Sequence, residues 1–172
     1  MRKFLSFTIA ILLIFSLTAC NNTVELKIPS AVLKDEGDIT LDEYASENGF
    51  ISVTQTSSLF LDVVMTKSRH RELVRESEKN VEKRYSSIVE AENTDYIKKI
   101  IHDKDFRRIT VEVDKSGYEM ISLDMNIHQI GLLAIMHQIN TGLEQNAEVI
   151  VKDTVTKNTL SIRVYPDDIA PD

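Results

Sequence analysis

Cysteine and histidine are the side chains best suited to nucleophilic, acid–base or metal chemistry, and this chain of 172 residues holds one cysteine and four histidines. The densest cluster is His102-Asp103-Lys104-Asp105. An imidazole and two carboxylates could converge on one ion. A calcium loop needs further oxygen ligands and a glycine at its sharp turn, yet Phe106-Arg107-Arg108 follow. Aspartates favour turns by themselves, and that is the reading adopted for Asp103 and Asp105. His128 and His137 lie nine residues apart, about half a turn out of phase on a helix, so they cannot grip one ion. They read as polar residues at the edge of a buried helix. His70 has no companion four residues on. Gly-x-Ser-x-Gly, Ser-x-x-Lys and His-Glu-x-x-His are absent, and Ser57, Ser58, Ser86 and Ser87 have no glycine elbow. The five glycines form neither Gly-x-Gly-x-x-Gly nor a P-loop. No catalytic residue, metal ligand or cofactor is assigned, and an enzyme is the least favoured class.

The cysteine is another matter. Cys20 ends an apolar run behind Arg2 and Lys3, and small Thr18 and Ala19 precede it. A positive start, an uncharged stretch and small residues make an export leader. Residues 4–19 fall short of the roughly 20 apolar residues of a membrane span, which favours cleavage over a transmembrane anchor. Leu17-Thr18-Ala19-Cys20 resembles the lipobox of bacterial lipoproteins. That resemblance implies diacylglycerol transfer to the Cys20 thiol and cleavage between Ala19 and Cys20. The alternative is an ordinary secretory leader followed by a free thiol. Two acyl chains hold far better than one, at about 0.8 kcal/mol per buried CH2. An exported chain also gains by having no second thiol to mispair.

These readings divide the chain into a signal peptide (1–19), a lipidated tether (20–22), one α+β domain (23–165) and an acidic tail (166–172). The leader holds two of the 20 basic residues and none of the 27 acidic ones, so the remainder carries 18 basic against 27 acidic side chains, net −9. That field disfavours nucleic acid as a partner. Absence of tryptophan lowers the odds of a stacked sugar or a large aromatic anchor.

Period-two alternation marks strands in "TVELKI", "FISVTQ", "LFLDVVM", "RITVEV" and "TLSIRVY". It places Val24, Leu26 and Ile28 on one face, then Leu59, Leu61, Val63 and Met65; it turns Ile109, Val111 and Val113 inward toward the core, and Leu160, Ile162 and Val164 likewise. Tight turns are expected at Ser57-Ser58, at Asp103–Asp105 and at Thr156–Asn158. A short helix runs from a Thr40 cap to Gly49. A long one from Thr66 to about Ala91 carries a narrow stripe of Leu73, Val74, Val81, Tyr85 and Ile88, with charge elsewhere. Another, 124–142, starts at an Asp124 cap and stops at Gly142. Met125, Ile130, Leu132, Leu133, Ile135, Met136 and Ile139 surround much of it, so it should be largely buried. The expected fold is α+β with two layers, a mainly antiparallel sheet packed against two long helices.

Ile28-Pro29-Ser30 after the first strand, Met65-Thr66-Lys67 before the long helix and Asp105-Phe106 before the Ile109–Val113 strand resemble marks of a family of small Gram-positive (Firmicute) lipoproteins of uncharacterised activity. The likeness covers nearly all of the chain after the leader. Ser57-Ser58 stands where such relatives carry an Asp-Gly turn. The resemblance implies location and fold, and it brings no catalytic residues. The expectation is a lipid-anchored protein on the extracytoplasmic face of the cell membrane, binding an extracytoplasmic protein or a small ligand without catalysis. The alternative is an accessory or protective, immunity-like subunit of a membrane complex; a hydrolase with a dispersed site ranks last.

Overall fold

The computed structural model describes residues 22–35, 39–120 and 125–167. Cys20, Ala19, the Asp124 cap and residues 168–172 of the expected tail lie outside them. Contacts divide the chain into two compact units, Met1–Glu72 and Leu73–Asp172. The division falls inside the long helix, where the sequence shows no boundary.

In the first unit, β1 (Thr23–Pro29), β2 (Ser52–Gln55) and β3 (Phe60–Thr66) form an antiparallel sheet in the order β1-β3-β2. Leu26 faces Val63 and Ile28 faces Leu61. Leu61, Val63 and Met65 are fully buried, as the alternation predicts. Leu59 is not part of that face: it precedes the strand and is 68% exposed. The Ser57 hydroxyl accepts from the Leu59 and Phe60 amides, so the serine closes the β2–β3 turn locally. Between β1 and β2 come α1 (Val32–Asp35) and α2 (Leu41–Glu47). Thr40 and Glu43 form a reciprocal capping box at the start of α2. Hydrogen bonds from Thr40 hold the Glu43 carboxyl below its ordinary value. Gly49, at φ 67°, turns the chain out of α2 in a conformation that glycine adopts without cost.

The helix α3 (Lys67–Glu90) starts where the Thr66 hydroxyl accepts from the Arg69 amide. Its Val81, Tyr85 and Ile88 recur at helical spacing and are buried in the second unit's core. That unit holds β4 (Ile97–His102), β5 (Arg108–Val113), α4 (Lys115–Glu119), α5 (Met125–Thr141), β6 (Ala147–Asp153) and β7 (Thr159–Tyr165), with the sheet ordered β4-β5-β6-β7. Both hairpins pair antiparallel, but β5 and β6 run parallel. The reason is topological. A helix-bearing crossover, with α5 in it, separates the two strands, and such a connection returns the chain in the same direction. The α+β class therefore stands, with two sheets, one antiparallel and one mixed, where a single mainly antiparallel sheet was expected.

Ile109, Val111, Val113, Val149, Val151 and Tyr165 share one buried cluster with α3 and with Ile127, Ile130 and Ala134 of α5. Full burial of each such aliphatic side chain contributes about 1.5–3 kcal/mol. α5 is less enclosed than its composition suggests, since Met125 and Met136 are 60% and 45% exposed. It ends as predicted at Gly142, φ 74°, where the Leu143 amide closes back on the Gln138 carbonyl.

Candidate functional site

Among the described residues, His102, Asp105 and His137 come near one another around Phe106 without forming a metal-binding group. The Asp103 carboxylate accepts from the Arg107 amide at 2.7 Å and so holds its own turn, while His102 stacks on Phe106 with ring centroids 4.1 Å apart. Phe106 itself is buried at φ 53°, a backbone region uncommon for a bulky residue. Gln138, also buried, stabilises that turn: its Nε2 donates toward the carbonyls of Asp105, Phe106 and Asn146, and its Oε1 accepts from the Asn146 amide. His137 is not at a helix edge. It is 2% exposed, 3.0 Å from the Ser77 hydroxyl and against the Phe106 ring. Burial pushes its imidazole below the ordinary value, against the pull of the Glu78 and Asp105 carboxylates. His128 sits half-buried beside Tyr165, 5.6 Å between rings. The Tyr85 hydroxyl, its phenol pushed up by burial, donates to the Ile130 carbonyl. Among the described residues, no group of three or more histidine, cysteine or acidic side chains could hold a metal ion.

What the strands do assemble is a surface. Ile109, Val111 and Val113 point into the core, so Arg108, Thr110 and Glu112 point out. Strand register extends each of these into a row. Ile101, Thr110, Ile150 and Ile162 are consecutive partners across all four strands. On one side of that row lie Arg108, Glu148 and Val164, and on the other Lys99, Glu112 and Lys152. Ile101, Ile162 and Val164 are 43%, 55% and 39% exposed. Charge borders them: Arg108 Nε lies 3.0 Å from Glu148, and Lys157 Nζ 3.0 Å from Glu112. A shallow concavity of about 690 Å3 opens over one end of this face, lined by Ile101, Thr110, Arg108, Glu148 and Val164 among others.

Placing Ile162 and Val164 in the core was an error of phase. Tyr165 pairs with fully buried Ala147 and is itself fully buried, which turns Val164 and Ile162 to the opposite face. An irregularity between Val151 and Lys152 shifts the register further along, and one residue of slip exchanges the two faces of a strand. The correct phase could have been found only by counting back from "VY", with tyrosine as the core anchor. The arrangement offers an aliphatic stripe with paired charges at its borders. Exposed ion pairs add at most about 1 kcal/mol of stability; at a contact surface they select and orient a partner. Comparison with protein-family models, curated proteins and solved structures finds no match for this chain.

Proposed function

We propose that this chain is a non-catalytic binding module, fixed to the outer face of a bacterial cell membrane by a diacylglycerol on Cys20, and that it engages a protein partner through the open face of the β4–β7 sheet. The carrying observation is the row of exposed aliphatic residues that strand pairing brings together at Ile101 and Ile162, with Val164 beside it. In this reading the second unit is two-layered, with α3 and α5 over one sheet face and the other left for a partner. Covering half-exposed Ile162 and Val164 contributes about 1 kcal/mol each, half the full-burial value. The anchor sets the height. β1 begins at Thr23, three residues beyond Cys20, so the Cα atoms of the two lie within about 11 Å of each other.

A photo-crosslinking residue at position 162, irradiated on intact cells, should join the protein to a partner at fixed stoichiometry, and Ile162→Asp should abolish that partner's co-purification while leaving the thermal transition in place. Crosslinks absent at 162 but present from Lys79 on α3 would move the contact to the helix. Cys20→Ala should release a folded protein from the membrane fraction; retention there would remove the anchor from the account.

A further inference from the structure

The sheet face ends at β4, and β4 is an edge strand. The Asp103 amide donates to the Arg108 carbonyl across the hairpin. In an antiparallel ladder alternate residues turn the same way, so Ile101 and Lys99 engage β5 while the N–H and C=O of Ile100 and His102 point off the edge. Beside that edge runs a trough of about 420 Å3 whose other wall is α3. Glu82, Tyr85, Ser86, Val89 and Glu90 line it from the helix, and Lys98, Lys99, Ile100 and His102 from the strand side. Exposed edges are usually blunted by charge, and Lys98 and Lys99 do so here. What differs is that the helix wall is acidic. Glu82 and Glu90 are exposed, and among the described residues they form no ion pair.

The spacing is commensurate with one kind of occupant. Eight residues on a helix span about 12 Å. Positions i and i+4 of an extended strand share a face and lie about 13 Å apart. We infer that β4 and α3 together receive an extended peptide segment of the partner, added as a fifth strand, with basic side chains at i and i+4 against Glu82 and Glu90 and an aliphatic residue at i+2 against Tyr85, midway between them. Main-chain pairing at Ile100 and His102 supplies affinity, and the trough supplies the choice of side chain. This rests on the binding-module reading for the existence of a partner and names the chemistry of the segment it presents.

The test titrates the full chain in nanodiscs with the peptide acetyl-Thr-Lys-Thr-Val-Thr-Lys-Thr-amide. Saturable binding that slows amide exchange at Ile100 and His102 is the expected result. Glu82→Lys with Glu90→Lys should weaken that peptide about tenfold and favour its glutamate counterpart by a similar factor. N-methylating the edge-facing amides of the peptide should abolish binding with no change to the protein. Failure to saturate, indifference to both charge exchanges, or survival of the N-methylated peptide overturns the inference. Ile162→Asp, three strands away, should leave peptide affinity unchanged. Loss of crosslinking at 162 with edge binding intact would then sink the face as the contact and spare the groove.

Discussion

Gln138 should be the polar side chain on which the second unit most depends. Its amide carries two hydrogens, so its three carbonyl contacts amount to about two donated bonds, and Oε1 accepts a third. Gln138→Leu keeps much of the volume and removes all of them. The Phe106 contact is buried, so stranding that carbonyl costs about 1–3 kcal/mol, while the remaining two bonds, reachable by water, are worth about 0.5–1.5 kcal/mol each. The expected loss is about 2–6 kcal/mol, against a usual total of about 5–15 kcal/mol. In urea, at a slope of about 2 kcal/mol per molar, the midpoint should fall by about 1–3 M with the slope unchanged. Following the amides of α5 makes the readout belong to this unit. Gln138→Glu adds a test of sign. A carboxylate facing carbonyls is raised in the folded state, so the native chain binds the extra proton and the deficit relative to the parent should narrow as pH falls from 7 to 5. A loss below about 1 kcal/mol for the leucine variant, or a widening deficit for the glutamate one, would refute the idea that this side chain holds the left-handed turn at Phe106.

Three further outcomes are expected. A Cβ at Gly131 would lie 2.3–2.5 Å from ring atoms of buried Tyr165, so Gly131→Ala should lose about 1–3 kcal/mol in thermal melts although alanine favours helix by about 1 kcal/mol; a gain would show that the ring yields. Because burial lowers the His137 imidazole in the folded chain, its contribution should be intact above about pH 6.5 and decline as pH falls below it, by up to about 1.4 kcal/mol per pH unit. His137→Gln should remove that part of the slope in urea titrations at successive pH values, and an identical slope in both proteins would contradict it. Thr40→Ala should cost about 0.5–2 kcal/mol and let the Glu43 carboxyl return upward in an NMR titration; an unmoved carboxyl would mean that the capping box is not its cause.

Local chemistry was the legible part of the fold. Thr40, Gly49, Thr66 and Gly142 mark helix ends because a cap is decided within four residues of chain, and the structure puts helix boundaries beside each. Val81, Tyr85 and Ile88 were legible because a helical stripe repeats often enough to fix its phase. The parallel pairing of β5 with β6 was not, because nothing in either strand records its neighbour's direction; the 33 residues from Asp114 to Asn146 decide it. His137 and Gln138 were missed for a related cause. A polar residue on an apolar helix looks like a boundary until its partners are known, and Ser77, Asp105, Phe106 and Asn146 come from elsewhere in the chain.

The candidate surface illustrates the same limit more sharply. Ile101 and Ile162 stand 61 positions apart in sequence and join one row only through three successive pairings, Ile101 with Thr110, Thr110 with Ile150 and Ile150 with Ile162. A strand read alone assigns its aliphatic residues to the core, because burial is the commoner fate of isoleucine and valine. In β7 that prior meets "IRVY", where a tyrosine on the opposite phase buries far more area and takes the core position. The displaced Ile162 and Val164 must then face outward, whatever their hydropathy. An exposed aliphatic pair created in this way has two fates, a solubility burden or a contact, and the bordering Arg108–Glu148 and Lys157–Glu112 pairs limit the first by breaking the patch with charge. Replacing both aliphatics by threonine therefore separates the cases. It should leave solubility and melting unchanged while removing partner capture, whereas a protein that merely became more soluble, with capture intact, would mark the stripe as a by-product of burying Tyr165.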